Sequence, residues 1–127
     1  MLYDDTVRNP LPSGMGRFNY QQYLGKPFSA YGNCLNFFIV VQKEEFNRDI
    51  PNTPGEISKY FEPTETGAEG DLLLMKNGHR LHVGIMVQDK YCLHNFENLG
   101  VILTPIKRLK EMGLIVTRYY KYSNGHI

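Results

Sequence analysis

The sequence predicts an α+β domain in which one buried helix packs against an antiparallel β-sheet. The segment from Cys34 to Phe46 contains no Gly or Pro and is long enough for a helix. Residues 81–96 alternate in polarity about a short polar break, which is typical of a β-hairpin. Leu114 to Tyr122 is rich in β-branched and aromatic residues and predicts a final strand. This order of elements predicts a helix layer on a sheet layer.

The beginning of the chain is predicted to be irregular. Residues 1–16 include two Pro and two Gly between Asn9 and Gly16, which suits an arm that contacts another subunit or simply frays. Residues 17–127 are predicted to form one domain, because a chain of 127 residues can bury a sizeable core. Within that domain, Arg17 to Leu24 is expected to be a short helix.

The helix from Cys34 to Phe46 has a recognisable start. Gly32 breaks the chain, and Asn33 is a favourable N-cap, so that Cys34 becomes the first helical residue. The first two turns are apolar on nearly all sides, which predicts that they are buried. The β-branched run from Ile39 to Val41 leaves a buried strand as the alternative, although the length and the cap favour a helix.

A long connection follows the helix. The segment from Pro51 to Gly70 is rich in Pro and Gly and is predicted to hold one helical turn at Ile57 to Phe61. Connections of this length in compact domains are often functional, and this one is a candidate wall for a substrate groove.

The hairpin brings two histidines together. If its loop is centred on Gln88, His82 lies directly opposite His94, with the Cβ atoms roughly 5 Å apart. A slip of one residue would instead place Asn95 opposite His82. Because side chains alternate along a strand, the other face of the hairpin is apolar. Its members are Val83, Ile85, Val87, Tyr91 and Leu93.

Two further elements are expected after the hairpin. Gly100 to Leu103 predicts a strand, and Thr104 is expected to cap a short helix that has Pro105 at its first position. An apolar stripe then leads to Gly113, which is expected to end that helix. The stripe consists of Ile106, Leu109 and Met112. The tyrosines of the last strand are expected to pack at a sheet edge.

Cys34 is the candidate nucleophile. At a helix start, backbone N–H groups lack helical partners and the helix dipole favours an anion, so we expect a lowered thiol pKa. The same N–H groups can hold a developing oxyanion. The alternative is that Cys34 is a small buried hydrophobic residue, as most free cysteines are.

The two histidines favour the catalytic interpretation. His82 is expected to act as general base toward Cys34, and His94 to orient the His82 ring. Either histidine alone is more often a packing residue, but two on one hairpin face downstream of a helix-capping cysteine form a rarer pattern. His79 and His126 are expected to be solvated.

A zinc site is the competing interpretation, since Cys92 and His94 share a face and Cys34 with His82 would complete a Cys2His2 set. The spacing fits no short-looped zinc motif, so we expect no metal and no other cofactor, with Cys92 an interior residue beneath the long helix.

Composition gives no reason to expect nucleic acid or a membrane as a partner. The formal net charge is +1, and no Lys/Arg run marks a nucleic-acid groove or a membrane surface. The start of the chain has neither a basic nor an apolar signal region, so we expect synthesis in a cytoplasm without a signal peptide.

Several of these motifs together resemble a known family. From residue 20 to 122 the chain is similar to the NlpC-type peptidoglycan cysteine endopeptidases, and most similar to their phage tail-assembly branch. The strand that begins with Gly and Asp, followed by His-Val-Gly-Ile and a second His, is the most specific part. The motifs are Tyr23-Leu24-Gly25-Lys26-Pro27-Phe28, Gly32-Asn33-Cys34-Leu35, Asn47-Arg48-Asp49-Ile50-Pro51, Gly70-Asp71-Leu72-Leu73, His82-Val83-Gly84-Ile85 and Tyr91-Cys92-Leu93-His94.

The resemblance implies a papain-like fold, a triad of Cys34, His82 and His94, and cleavage of the D-glutamyl–diaminopimelate bond in cell-wall stem peptides. It also implies a component of the phage virion at the tail tip, with tail hub proteins as partners, acting in the cell wall or periplasm. We expect the N-terminal arm or the long connection to dock on the hub.

The chain departs from the family at Leu35, Asn36 and Phe28, where relatives carry Ser or Trp, Gly, and Tyr. Tyr31 is a possible substitute for the missing hydroxyl. These departures leave open a catalytically silent plug or assembly module of the same fold. Acyl transfer on lipids is a third hypothesis, which the order of cysteine before histidine disfavours.

Overall fold

The computed structural model describes residues 18–123, and the predicted arm and His126 lie outside this range. Two 3-10 segments precede helices α1 and α2 and six strands, and a third 3-10 segment lies between the last two strands. The helices are α1 (Cys34–Phe46) and α2 (Pro54–Ile57); the strands are β1 (Phe61–Thr64), β2 (Leu72–Asn77), β3 (Arg80–Val87), β4 (Tyr91–Phe96), β5 (Gly100–Pro105) and β6 (Ile115–Tyr122); the 3-10 segments are Tyr20–Tyr23, Phe28–Ala30 and Ile106–Met112.

The strands form one antiparallel sheet in the order β1-β6-β2-β3-β4-β5. Helix α1 packs on it, mainly against β3 and β4. The predicted α+β class is therefore confirmed.

Helix α1 begins and ends as local chemistry dictates. The Asn33 side chain accepts a hydrogen bond from the Asn36 N–H at 2.7 Å, which satisfies one of the free donors of the first turn. Asn47 ends the helix in the left-handed conformation, with φ of 56°. The strand alternative for residues 39–41 is wrong, and the predicted bounds of the helix are confirmed.

The sheet separates two apolar clusters. On the α1 side, residues from the helix pack against the apolar face of the hairpin. On the other side, the segment Ile106–Met112 covers β2, β3 and β4. The first cluster includes Phe37, Phe38, Val41, Ile85, Val87 and Leu93, and the second contains Leu73, Met75, Met86, Cys92, Leu109 and Leu114. The predicted apolar hairpin face and the apolar stripe before Gly113 are both confirmed.

Cys92 is fully buried, as predicted, but it is not beneath α1. It belongs to the cluster on the opposite face of the sheet, together with Leu109 and Leu114. The reason is strand parity, since Cys92 alternates with the neighbours that face the helix.

The segments that flank α1 differ from expectation. Before it, the expected helix over residues 17–24 is a single 3-10 turn, whose Tyr23 hydroxyl donates to Glu44 and Glu45 at 2.8 and 2.9 Å. After it, the helical turn lies earlier than predicted, at Pro54–Ile57. Phe61 instead starts β1, because its ring is buried against Phe38 and Tyr122.

The end of the sheet also corrects two expectations. Thr104 does not cap a helix: it lies in β5, and the 3-10 segment that follows has no side-chain cap bond. Gly113 does end that segment, with φ of 83°. Strand β6 lies between β1 and β2, so its tyrosines pack inside the sheet and not at its edge. No helix within residues 18–123 has the length and hydropathy needed to cross a membrane.

Candidate active site

The β3–β4 hairpin has a different register from the predicted one. Its pairs are Ile85 with Leu93, Met86 with Cys92 and Val87 with Tyr91. The loop therefore spans residues 88–90, with Gln88 in the left-handed conformation at φ of 56°. The predicted register, centred on Gln88, is wrong by two residues along the partner strand. Because side chains alternate with a period of two, this shift leaves every residue on its predicted face.

His82 and His94 still meet across the hairpin. In the observed register they are diagonal neighbours, a separation that long side chains bridge. The Nε2 atom of His82 lies 2.8 Å from the Nδ1 atom of His94. The Phe96 ring packs edge-on to His82, with ring centroids 5.5 Å apart at 83°. The histidine pair is therefore held by one hydrogen bond and by aromatic packing.

Gly84 makes this approach possible. A Cβ atom at position 84 would collide with the Sγ atom of Cys92, and would lie 3.3 Å from the Cβ of His94. The missing side chain lets β3 lie close beside β4 at the point where the two histidines meet.

Regular pairing of β3 with β4 covers only the loop end of the hairpin. Among the described residues, pairing of β3 with β4 stops at Ile85 and Leu93, whereas β3 stays paired with β2 as far as Arg80. The start of α1 lies beside this unpaired part of β3, and the Val83 N–H contacts the Cys34 sulfur.

The Cys34 thiol is partly buried. Burial raises its pKa above the ordinary value, and this effect outweighs the backbone N–H groups of Val83, Cys34 and Leu35, which lower it. The predicted net lowering of the thiol pKa is therefore wrong, because desolvation exceeds the contribution of the helix start. The described atoms form no hydrogen bond between the thiol and His82, although both side chains line one cavity. The raised pKa favours the neutral thiol form of Cys34.

Both histidines are neutral at physiological pH. Burial lowers the pKa of His82 to about 4. Burial and the neighbouring His82 lower the pKa of His94 well below its ordinary value. Each ring therefore carries a single N–H, so His82 has one nitrogen available as a proton acceptor.

Thr104 is a site residue that the sequence did not reveal. Its Oγ1 atom lies 2.9 Å from the Nε2 atom of His94, and it donates a hydrogen bond to the Met112 sulfur at 3.9 Å. Thr104 is fully buried. Its place directly before Pro105 predicts a helix cap. If the predicted strand is continued by two residues, strand alternation places Thr104 on the same face as Ile102, and this is the pattern that could have revealed it.

The sequence indicates Asn95 only as an alternative partner of His82. It lies on the α1 face of β4, fully buried, and its Nδ2 atom donates to the carbonyl oxygens of Phe28 and Asn33 at 3.1 and 3.4 Å. These bonds fasten the segment before the nucleophile to β4. The sequence feature that could have revealed this role is a polar residue on the otherwise apolar face of the hairpin.

Two cavities meet at Cys34. One, of about 340 Å³, is called the polar cavity because its lining includes charged and amide side chains, and His82 also lines it. The other, of about 490 Å³, has no charged side chain in its lining and is walled partly by the long connection. The polar cavity is lined by Phe28, Gly32, Asn33, Cys34, Asn77, Arg80, Leu81, His82, Asn95, Phe96 and Glu97. The apolar cavity is lined by Cys34, Leu35, Ile57, Ser58, Phe61, Leu72, Leu74, Leu81, Val83 and Tyr120.

The expected substitute hydroxyl is not in either lining. Tyr31 instead packs its ring on Phe37, with centroids 4.9 Å apart. It therefore does not replace the hydroxyl that Phe28 lacks.

The competing zinc interpretation requires Cys34, His82, Cys92 and His94 to converge on one point. Within the part of the chain that the structure describes, no three His, Cys, Asp or Glu side chains are grouped so as to hold a metal ion. His94 uses both ring nitrogens, toward His82 and Thr104.

No family model matches the chain, and no curated protein is significantly similar to it.

Proposed function

We propose that the protein is a cysteine endopeptidase that uses Cys34, His82 and His94. The observation that carries this proposal is the 2.8 Å contact from His82 Nε2 to His94 Nδ1, next to a cavity shared by His82 and Cys34. That contact occupies Nε2 of His82, so that Nδ1 is the nitrogen left for the thiol proton. The packing of α1 on the sheet supports a papain-like fold.

The chemistry proceeds by general base catalysis from neutral groups. His82 Nδ1 takes the thiol proton while Cys34 Sγ bonds to the carbonyl carbon of the substrate. The backbone N–H groups at the start of α1 are positioned to stabilise the oxyanion. When the C–N bond breaks, His82 returns the proton to the leaving amine. Water, deprotonated by His82, then hydrolyses the thioester and frees the acid and the thiol.

The cavities suggest how the substrate lies. His82 lines the polar cavity and not the apolar one. Since His82 must protonate the leaving amine, the amine side of the scissile bond is expected in the polar cavity. Arg80 and Glu97 in that lining suit the charged groups of an amino acid such as diaminopimelate.

The substrate class rests on the resemblance of the sequence motifs to NlpC-type endopeptidases. It is the D-glutamyl–diaminopimelate bond of peptidoglycan stem peptides. Following the same resemblance, the protein is a tail-tip component of a phage, bound to a hub protein, that acts in tail assembly or in cell-wall penetration.

A catalytically silent plug of the same fold is the second candidate. The observation in its favour is the raised pKa of Cys34 together with the missing hydrogen bond from the thiol to His82. An assembly module needs neither an activated thiol nor an open cavity.

Digestion of purified muropeptides separates the two candidates. The wild-type protein should release diaminopimelate-containing fragments, and Cys34→Ala should release none while keeping its fold. Cys92→Ala is the matched control, because Cys92 is buried on the other face of the sheet. Undiminished release by Cys34→Ala, or no release by the wild type, would refute the peptidase.

The tail assignment has its own test. Mass spectrometry of purified virions should find the chain in intact particles. Its presence in host lysate alone would favour a role in lysis or in assembly only.

A further inference from the structure

A line of three polar contacts joins four residues and runs inward from the site. It begins at His82, passes through His94 and Thr104, and ends at the sulfur of Met112, with successive distances of 2.8, 2.9 and 3.9 Å. His94 and Thr104 are fully buried, so water does not compete with the contact between them. The direction of the hydrogen bonds along this line decides which nitrogen of His82 is free.

Only two orders of hydrogens are possible when both imidazoles are neutral. In the first, His82 Nε2–H donates to His94 Nδ1, His94 Nε2–H donates to Thr104, and the Thr104 hydroxyl donates to Met112. In the second, Thr104 donates to His94 Nε2, and His94 Nδ1–H donates to His82 Nε2. The second order places the only hydrogen of His82 on Nδ1, where it cannot accept a proton from a thiol.

The end of the line selects between them. A thioether sulfur has no hydrogen and can only accept. The Thr104–Met112 contact is therefore a hydrogen bond only if the single hydroxyl hydrogen of Thr104 points to the sulfur. In that case the Thr104 oxygen accepts from His94, and the first order follows.

We propose that Thr104 is a positioning residue that holds His82 in the tautomer with a free Nδ1 lone pair, through His94 and with Met112 as the final acceptor. Thr104 contacts neither cavity and acts only through the histidines. The consequence for catalysis rests on the proposed peptidase function, but the tautomer itself does not.

The test is nitrogen NMR of the full chain labelled with ¹⁵N-histidine, in which long-range couplings show which ring nitrogen carries hydrogen. His82 and His94 are assigned with the variants His82→Gln and His94→Gln. We expect hydrogen on Nε2 of both rings. Hydrogen on Nδ1 of His82 in the wild type would overturn the proposal.

Three variants probe the cause. Thr104→Val keeps the shape but removes the acceptor, so hydrogen should move to Nδ1 of both histidines, and thiol-dependent hydrolysis should fall by about 10²-fold. Thr104→Ser should restore the wild-type spectrum. Met112→Leu, which conserves volume, should give a mixture of tautomers because the Thr104 hydroxyl can then turn to His94.

The outcomes separate the two proposals. An unchanged spectrum in folded Thr104→Val would overturn the role of Thr104. Should Thr104→Val not fold, the spectrum of Met112→Leu decides, and an unchanged tautomer there would overturn the role of the sulfur. The expected tautomers in a wild type that cleaves no muropeptide would refute the peptidase and leave this inference standing.

Discussion

The imidazoles of His82 and His94 lie within hydrogen-bond distance, at 2.8 Å, although the two residues are not opposite each other in the hairpin. Their contact requires the close approach of β3 to β4 at Gly84, because a Cβ there would meet the Cys92 sulfur. The geometry of the candidate site therefore depends on a glycine that takes no part in the chemistry.

Substitution of this glycine is the first prediction. Gly84→Ala should destabilise the protein by about 1–3 kcal/mol and weaken the histidine contact, since the added methyl group overpacks the strand pair. Combining it with Cys92→Ala should restore most of the loss, because the sulfur is the nearest obstacle. Urea unfolding measures both changes.

Gly55→Ala is the control for that experiment. No atom lies within 4 Å of a Cβ at position 55, so its effect should stay within about 0.5 kcal/mol. Equal losses at positions 55 and 84 would show that contact with Cys92 is not the cause.

The second prediction concerns stability against pH. The pKa of His82 is about 4 in the folded protein and 6.5 ordinarily, so the unfolded chain binds the proton more readily. Stability should be independent of this group above pH 6.5, and should fall below it by up to about 1.4 kcal/mol per pH unit until the folded state also protonates. His94 contributes in the same direction, because its pKa is also lowered.

Urea midpoints measured across this pH range check the slope. In His82→Gln the slope should become shallower, because one of the two buried imidazoles is removed. A wild-type stability that stays constant from neutral pH to pH 5 would contradict the burial of neutral histidines.

The third prediction concerns the thiol. Because burial raises the pKa of Cys34, its alkylation by iodoacetamide should keep accelerating with pH beyond the ordinary thiol value of 9.0. Peptide mapping should find the label on Cys34 and not on Cys92, which is fully buried. A rate that is already constant at neutral pH would indicate a stabilised thiolate and contradict the neutral-thiol mechanism.

The fourth prediction tests the cavities. Leu81 lines both of them and its side chain is 63% exposed. Leu81→Ser should therefore lower kcat/KM for muropeptides about tenfold, through lost apolar contact with the substrate. Its effect on stability should be within about 0.5 kcal/mol.

Ile115→Ser is the matched control, because Ile115 is 58% exposed and lines neither cavity. It should leave kcat/KM unchanged. Equal activity losses in the two variants would remove the support for substrate binding at Leu81.

The structural features that the sequence predicted are those that depend on residues close together along the chain. Asn33 and the run to Phe46 determine α1 and its start locally, and alternation in the hairpin determined the face of both histidines. The register depended on the loop, where Gln88 adopts a left-handed conformation that is uncommon outside glycine. The predicted loop centre at Gln88 was wrong, because the observed loop spans residues 88–90.

The remaining features arise from contacts between distant segments. Thr104 meets His94 only because β5 pairs with β4 through to Pro105. The pKa of the Cys34 thiol depends on how deeply α1 and β3 bury its sulfur atom. The position of a cysteine at a helix start does not reveal that depth. These are tertiary contacts, and patterns along the sequence do not predict them.

The central claim is that His82, held by His94, activates Cys34. The most direct test is the rate of muropeptide hydrolysis by His82→Gln, with Cys34→Ala as the inactive baseline and Cys92→Ala as the control. We predict that His82→Gln lowers kcat by about 10²-fold or more, because the two side chains act as one unit. Hydrolysis by His82→Gln at the wild-type rate would contradict the account.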